Sequence, residues 1–217
     1  MSNGPPFEKA LDAHPLYVIL DRDTLDQLNA NILQVMAGAI NAGVKMFQIR
    51  SKQKDQRLLE EVQSCAQLAS QNNCFLVIND YMDVAKQFGK PVHLGKEDLQ
   101  SVTLSTKDIY GLSTRSSAEI ISATSQQNKP MYVGFGSCFA TDSKSQVVLQ
   151  SKQSILEASE SATIPIIFIG GITLDNVKKL PYHKQVGFAV IKDLFRYGVE
   201  EGDIEYYCYS FKSRVYS

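Results

Sequence analysis

Eight short apolar runs spaced along the chain constrain its fold more than any other feature of the sequence. The runs are rich in Val, Ile, Phe and Tyr and fall at residues 17–20, 46–49, 75–78, 91–94, 108–112, 131–133, 166–169 and 187–191. Most of them are continuously apolar rather than alternating. This pattern is typical of strands that are buried on both faces of a parallel sheet.

The segments between these runs carry helical spacing. Residues 25–42 place apolar side chains at steps of three and four and are followed by Gly43, which predicts one helix ending there. Residues 58–69 repeat the pattern. Eight strand–helix units in 217 residues leave roughly 27 residues for each unit, as a strand, a helix and two short loops require. We therefore expect an α/β fold, a single (β/α)8 TIM barrel with residues 1–217 as one domain, because an open flavodoxin-like sheet has too few strands.

Bulk composition argues against several classes of partner. The chain has 22 Lys plus Arg and 23 Asp plus Glu, so its net charge does not attract nucleic acid or a membrane surface. The four cysteines have no CxxC spacing, and we expect idle or buried thiols in a reducing compartment. We find no apolar run of membrane-spanning length and no secretory signal at the N-terminus. The expectation is a cytoplasmic protein with no nucleic-acid and no membrane partner.

Polar residues concentrate where the predicted strands end, which is where barrels of this class carry their functional groups. The second strand is predicted to end in residues 48–52, of which Gln48, Arg50 and Lys52 point the same way because strand side chains alternate with period two. Two cations at the mouth of the barrel could hold a diphosphate. A solvated loop that is salt-bridged to the following helix explains the same residues about as well.

The third and fourth runs end in acidic and amide groups. Asn79 and Asp80 follow the third run, and Asp98 follows the fourth. If the two strands are parallel neighbours, both carboxylates can reach one hard cation such as Mg²⁺, which takes one or two carboxylates plus substrate phosphate oxygens. An Asn-Asp pair on its own is more often a turn or a helix cap. His93 has no other histidine nearby in sequence, and we interpret it as a wall residue rather than a metal ligand.

Later strand ends supply groups that suit anions. The sixth run continues into a loop of small residues in which Thr141, Ser143 and Lys144 could complete the hydrogen bonds of an anion, although a flexible polar loop is the alternative. The seventh run ends in Gly170 and Gly171, and the eighth runs into residues 190–192. Backbone amides after strands seven and eight form the usual phosphate site of such barrels. The sequence therefore predicts a phosphorylated ligand without naming it.

The motifs at these strand ends stand in one order along the chain: QIRSK, VINDYMDVA, VHLGKEDL, GLST, GFGSCFATDSK, IFIGGITLDN and GFAVI. Their order and approximate spacing resemble those of the thiamine phosphate synthase family, which has thiazole tautomerases of the TenI type as relatives. The resemblance covers about residues 17–194. Its most specific part is the combination of HLGxxD with IND and a TxSK loop.

The resemblance implies a reaction that joins hydroxymethylpyrimidine diphosphate to a thiazole phosphate, releases diphosphate and gives thiamine phosphate. It implies that Asp80 and Asp98 ligate Mg²⁺ and that Arg50, Lys52 and Lys144 neutralise the departing diphosphate. The implied ligands of the pyrimidine diphosphate are Gln48, Arg50, Lys52, Asn79, Ser113 and Lys144. Those of the thiazole phosphate are Thr141, Ser143, Gly171, Ile191 and Lys192. The implied partners are these two phosphorylated small molecules, and a homodimer is compatible with the sequence.

The sequence also departs from the family pattern. Tyr81 stands where Arg is usual, Lys96 where Gln is usual, and Lys192 where a small residue is usual. Arg115 occupies a position that is often His, the group that tautomerases use for proton transfer, and a guanidinium hardly deprotonates near neutrality. Three hypotheses remain: the synthase, favoured because its carboxylates and cations are present, a TenI-type tautomerase, and a non-catalytic paralogue that binds thiamine-related phosphates. The aromatic tail from Tyr197 is expected to pack a final helix.

Overall fold

Eight parallel strands close into a barrel in the order in which they occur along the chain. The structure is a computed structural model that describes residues 7–141 and 148–217. The strands are β1 Leu16–Asp21, β2 Met46–Arg50, β3 Phe75–Asn79, β4 Val92–Leu94, β5 Tyr110–Thr114, β6 Tyr132–Phe135, β7 Ile166–Phe168 and β8 Val186–Val190. The predicted (β/α)8 barrel is confirmed, and each of the eight apolar runs overlaps a strand.

One helix precedes the first strand, and the other helices come after or between the strands and cover the barrel. They are α1 Phe7–Ala13, α2 Arg22–Gln27, α3 Ile32–Asn41, α4 Gln56–Gln71, α5 Met82–Gln87, α6 Lys96–Ser101, α7 Ser117–Thr124, α8 Lys152–Ser161 and α9 Glu201–Tyr216. Short 3₁₀ helices occupy Val177–Lys179 and Lys192–Phe195. Because helices cover the outside, every residue of β1, β3 and β8 is buried, which explains their continuously apolar sequences.

The prediction of one helix over residues 25–42 is wrong, because the segment forms α2 and α3 with a turn between them. Asn29 adopts a left-handed backbone conformation with φ 51°, which ends the helical path. The side chain of Asn31 then accepts hydrogen bonds from the backbone N–H groups of Leu33 and Gln34, at 2.9 and 3.2 Å. An asparagine that caps a new helix in this way interrupts an apolar periodicity that otherwise continues through the turn.

Helix α1 closes the N-terminal end of the barrel. Its Phe7 and Leu11 belong to the apolar cluster inside the barrel, together with Tyr17, Phe75 and Tyr132. The ring of Phe7 stacks on that of Tyr132 with centroids 4.7 Å apart and meets Phe75 edge-on at 5.5 Å. A second, larger cluster lies between the strands and the outer helices. With one end filled by apolar side chains, polar ligands have access only from the opposite end.

The C-terminal helix α9 packs against α3 and the start of β1. Gly38 permits this close approach, because a Cβ atom there would lie 2.4 Å from the carbonyl oxygen of Glu201. The imidazole of His14 is 0% exposed and forms two contacts. Its Nε2 lies 3.1 Å from the carbonyl oxygen of Cys208, and its Nδ1 accepts the backbone N–H of Leu16 at 3.1 Å. The expectation that the aromatic tail packs a final helix is confirmed for Tyr207 and Phe211, which are buried, whereas Tyr206 and Tyr209 of the same helix are exposed.

Two further expectations can be compared with the fold. All four cysteines are buried and free, and burial raises the pKa of the Cys65 and Cys138 thiols to about 12 in each case, so the prediction of buried thiols is confirmed. Within residues 7–141 and 148–217, no helix has the length and apolar character needed to span a membrane.

Candidate active site

The two cations at the end of β2 are paired with carboxylates from the end of β1 and from the first turn of α2. Arg50 Nη1 contacts Asp21 Oδ2, and the Arg50 side chain keeps 21% of its surface exposed. Lys52 Nζ lies 2.5 Å from Asp23 Oδ2 and its side chain is 67% exposed. Neither pair involves the following helix α4, so the alternative of a loop salt-bridged to that helix does not describe these residues. Both cations lie at the C-terminal mouth, where the sequence predicts them.

Asp21 holds Arg50 in a fixed orientation. Its other oxygen, Oδ1, accepts hydrogen bonds from the backbone N–H of Thr24 at 3.1 Å and from the Thr24 hydroxyl at 2.8 Å, so the carboxylate is anchored as the N-cap of α2. In the parallel register Asp21 pairs with Arg50. Sequence reasoning missed Asp21, although an acid directly after the first apolar run was the available signal.

A buried arginine fixes the loop that follows Lys52. Arg22, at the start of α2, contacts Asp55 at 2.9 Å and Glu61 at 3.0 Å. Asp55 in turn caps α4 by accepting the backbone N–H of Leu58 at 2.9 Å. This N–H and the Arg22 guanidinium lower the pKa of the Asp55 carboxyl. The loop is therefore tied at both ends, which limits the movement of the cations before it.

Asp80 lies directly after β3 in a strained backbone conformation. Its φ of 65° is in the left-handed region, which Asp and Asn tolerate better than most residues. Asn79 Nδ2 donates to Asp80 Oδ2 at 2.6 Å. Asn79 is paired with His93 in the register of β3 and β4, so the ends of these two strands are adjacent, as the metal hypothesis requires.

Asp98 belongs to the first turn of α6, after β4. Its Oδ2 accepts the backbone N–H of Gly95 at 3.2 Å, so this carboxylate serves as a helix cap, a role that the sequence analysis did not assign to it. Lys96 points towards Glu119, with Nζ 3.1 Å from Oε1. Within the described ranges, no group of three or more His, Cys, Asp or Glu side chains is arranged to hold a metal ion. The assignment of Asp80 and Asp98 to Mg²⁺ stays a prediction.

A chain of hydrogen bonds crosses the barrel interior from β2 to β5. Gln48 Nε2 donates to the Tyr17 hydroxyl at 3.2 Å, and the Tyr17 and Tyr132 hydroxyls are 2.9 Å apart. The Tyr132 hydroxyl is 2.9 Å from His93 Nδ1, and His93 Nε2 is 2.9 Å from Ser113 Oγ. Two residues predicted to bind the pyrimidine, Gln48 and Ser113, are thus connected. Burial raises the pKa of both tyrosines well above the usual value, so their hydroxyls stay neutral.

The two tyrosines were missed by sequence reasoning, because Tyr17 and Tyr132 read as apolar members of their strands. The signal available was their position inside runs otherwise made of Val, Ile, Leu and Met. His93, expected to be a wall residue, lines this interior and is hydrogen-bonded at both ring nitrogens.

The loops after β6 and β7 are joined at the predicted phosphate site. Gly170 and Gly171 both have positive φ, 96° and 61°, and the backbone N–H of Phe139 donates to the carbonyl oxygen of Gly170 at 2.9 Å. A Cβ atom on Gly171 would lie 2.2 Å from the carbonyl oxygen of Ala140, so glycine is required for this approach. Thr141 is the next residue along the chain after Ala140. Ser143 and Lys144 lie outside the described residues.

Asp193 organises the other side of the phosphate site, next to Ile191 and Lys192. Its Oδ2 accepts the backbone N–H of Leu174, from the loop after β7, at 2.9 Å. The same oxygen accepts the hydroxyl of Tyr207, from α9, at 2.8 Å. The loops after β7 and β8 and the C-terminal helix therefore meet at one carboxylate, which the sequence did not single out.

These features define the chain as a TIM barrel with cations, carboxylates and glycine-rich loops gathered at its C-terminal mouth, the class that binds phosphorylated ligands. The sequence model of a family described as "Thiamine monophosphate synthase" matches residues 16–194. The thiamine-phosphate synthase of Shouchella clausii is 33% identical over 157 residues, which cover 69% of this chain and 74% of the relative. The chain belongs to the thiamine monophosphate synthase family.

Other relatives agree with this assignment. The thiamine-phosphate synthase of Clostridium tetani is 29% identical over 185 residues, 82% of this chain and 87% of the relative. The solved structure of thiamine phosphate pyrophosphorylase from Pyrococcus furiosus superposes with a TM-score of 0.73 at 26% identity, covering 96% of this chain and 98% of that one. A 2-keto-3-deoxy-6-phospho-gluconate aldolase from Zymomonas mobilis, at 10% identity and a TM-score of 0.63, shares the fold alone.

Proposed function

We propose that the protein is a Mg²⁺-dependent thiamine-phosphate synthase that joins hydroxymethylpyrimidine diphosphate to a thiazole phosphate and releases diphosphate. The observation that carries the proposal is the grouping of two cations and an acid–amide pair on the ends of β2 and β3. Arg50 closes β2 and Lys52 follows it, and in the paired strand β3 Asn79 is the last residue and Asp80 follows. A diphosphate needs positive charge on one side and a metal ligand on the other, and these strand ends supply both.

The reaction requires little covalent chemistry from the protein. The bond between the pyrimidine methylene and the diphosphate oxygen breaks, and its electron pair leaves with diphosphate. The lone pair of the thiazole nitrogen then forms the new bond to the methylene carbon. Arg50 and Lys52 stabilise the charge that develops on the leaving group, and Lys144 is proposed to contribute from the loop after β6. No side-chain nucleophile is needed.

The ion pairs at the mouth keep the cations oriented before the substrate binds. Asp21 binds Arg50 through one nitrogen, Nη1, and a guanidinium has four other N–H donors. Arg50 can therefore donate to a phosphate oxygen while Asp21 still holds it. Lys52, which is more exposed, can exchange Asp23 for the diphosphate at small cost, because exposed ion pairs contribute about 1 kcal/mol or less.

The carboxylates of Asp80 and Asp98 suit Mg²⁺, which prefers oxygen ligands. Mg²⁺ commonly takes one or two carboxylates and completes its coordination with water and substrate phosphate oxygens. A site made of two carboxylates alone thus fits this ion in the presence of a diphosphate substrate. When bound, Mg²⁺ would supply further neutralisation of the leaving diphosphate.

A tautomerase is the weaker candidate. Arg115 has an exposed side chain at the position where tautomerases carry a histidine, and a guanidinium does not transfer protons near neutral pH. The third hypothesis, a non-catalytic paralogue, differs from the synthase only in the outcome of an activity assay.

The test of the proposal is product formation from both substrates. Purified protein is incubated with hydroxymethylpyrimidine diphosphate, thiazole phosphate and Mg²⁺, and thiamine phosphate and diphosphate are quantified. We expect both products in equal amounts. Binding of both substrates without product would favour the non-catalytic paralogue, and absence of binding would refute a thiamine-related function.

Two other expectations belong to this proposal. A cytoplasmic location would be tested by fractionation of cells, in which recovery in the membrane or secreted fraction contradicts it. A homodimer would be tested by light scattering of the purified chain, for which a mass of 24.1 kDa at micromolar concentration indicates a monomer instead.

A further inference from the structure

The hydrogen-bonded chain inside the barrel has a direction. The two hydroxyls and the imidazole can each donate or accept, and the orientation of the Gln48 amide sets the direction. Because Gln48 Nε2 donates to the oxygen of Tyr17, the hydrogen of Tyr17 is directed to its other neighbour, the Tyr132 oxygen. Tyr132 then has one hydrogen to donate, and its neighbour is Nδ1 of His93. A neutral imidazole that accepts at Nδ1 carries its proton at Nε2. His93 Nε2 therefore donates to Ser113 Oγ.

This direction decides what Ser113 can offer a ligand. Because its oxygen accepts from His93, the hydrogen of the Ser113 hydroxyl is available to donate. Ser113 is less buried than Tyr17, Gln48 and Tyr132 and lies at the mouth end of β5, one residue before the strand ends. The buried end of the chain thus fixes the donor character of a group at the ligand end.

The surrounding packing holds Tyr132 in place. Its side chain is 0% exposed, with Phe7 stacked on one face at 4.7 Å between centroids and His93 stacked on it at 5.5 Å. Gly111 gives the phenol its space, since a Cβ atom there would lie 2.3 Å from Tyr132 Cζ. The ring cannot turn its hydroxyl away without disturbing α1 and β5, so the chain is preorganised before ligand binds.

We propose that Tyr132 is a positioning residue that, through His93, presents the Ser113 hydroxyl as a hydrogen-bond donor, so that the site selects a pyrimidine with an unprotonated ring nitrogen. This inference rests on the proposed function, which supplies the pyrimidine diphosphate as ligand. A ring that carries N–H at the same place, as in a pyrimidinone, would set donor against donor. We expect the diphosphate of such a pyrimidinone to bind roughly 10-fold to 100-fold more weakly than the pyrimidine diphosphate, because one buried donor is left without an acceptor.

The direction can be read from the tautomer of His93. In ¹⁵N-labelled protein the ring nitrogens report which of them is protonated, and the chain has only 3 histidines, so a His93→Gln spectrum assigns the signal. In the neutral imidazole of His93 we expect the Nε2–H tautomer. The Nδ1–H tautomer would overturn the inference, because Ser113 would then donate to His93 and present an acceptor to the ligand.

A matched pair of variants separates positioning from stability. Tyr132→Phe removes one buried hydroxyl from the chain, and Tyr110→Phe removes another from the same barrel, one that donates to the carbonyl oxygen of Asn128 at 2.7 Å. In Tyr132→Phe we expect a measurable Nδ1–H fraction at His93 and a roughly 10-fold higher KM for the pyrimidine diphosphate. Tyr110→Phe should change neither.

The outcomes distinguish this inference from the proposed function. A wild-type protein that shows the Nε2–H tautomer but does not bind pyrimidine diphosphate would refute the proposed function. A wild-type synthase whose Tyr132→Phe variant keeps both the tautomer and the KM would refute the positioning role. Equal changes of KM in Tyr132→Phe and Tyr110→Phe would also refute it, because both would then reflect lost stability.

Discussion

The buried imidazole of His14 predicts a defined loss of stability in mild acid. Burial lowers its pKa from 6.5 to about 4, against the raising effect of the Cys208 carbonyl and with a further lowering by Lys212. Since the folded pKa is below the unfolded one, the unfolded chain binds the extra proton between these values. The contribution of neutral His14 to stability is therefore complete above pH 6.5 and is lost progressively as the pH falls towards 4.

The size of the effect follows from the two pKa values. Between pH 7 and pH 5 the imidazole contributes a loss of about 2 kcal/mol in the free energy of unfolding. The assay is urea unfolding at both pH values for the wild type and for His14→Asn, which does not titrate. Asn can still accept the Leu16 N–H through its side-chain oxygen, as a residue of this type does for the amide two positions ahead.

Other groups titrate in the same range, so the informative quantity is the difference between the two proteins. We expect the wild type to lose about 2 kcal/mol more than His14→Asn between pH 7 and pH 5. An equal loss in both would refute the reasoning. An NMR titration of the His14 ring with a midpoint near the usual histidine value would refute it independently of the variant.

Two further substitutions test the packing around the site. Gly111→Ala should lower the free energy of unfolding by roughly 1–3 kcal/mol, because the added methyl group overlaps the ring of Tyr132; urea unfolding measures this, and unchanged stability would contradict the close contact. Tyr207→Phe removes the hydroxyl that donates to Asp193 and should raise the KM for thiazole phosphate more than the KM for the pyrimidine diphosphate. The control, Tyr206→Phe, changes an exposed tyrosine and should alter neither KM. Equal KM values in the two variants would contradict a link between Tyr207 and the phosphate site.

The sequence predicted the strands because burial on both faces leaves a continuous apolar signal. In the structure, β1 ends at Asp21 and β2 ends at Arg50. These two residues are polar, so an apolar pattern does not include them in the strands. The break between α2 and α3 was not predicted, because apolar spacing continues across it. It depends on the left-handed Asn29 and on the capping side chain of Asn31.

The candidate site was predicted as a set of ligands, without the groups that orient them. Residue type and position at a strand end were enough to single out Arg50 and Asp80. The partner of Arg50, Asp21, depends on the register of two strands far apart in sequence. Likewise, the hydroxyls of Tyr17 and Tyr132 meet only because the barrel closes. The order of apolar and polar residues along the chain does not show that contact.

The most direct test of the proposed chemistry is the Mg²⁺ dependence of turnover in Asp80→Asn and Asp83→Asn. Asn tolerates the left-handed conformation of Asp80, so the first change removes the carboxylate without backbone strain. The second neutralises a neighbouring acid that pairs with Lys54 at the surface. At saturating Mg²⁺ we predict at least a ~100-fold lower kcat/KM for Asp80→Asn, because even indirect contacts of a metal contribute 10–100-fold, and near wild-type turnover for Asp83→Asn. Wild-type turnover in Asp80→Asn, or turnover of the wild type that is unaffected by removal of Mg²⁺, would contradict the account.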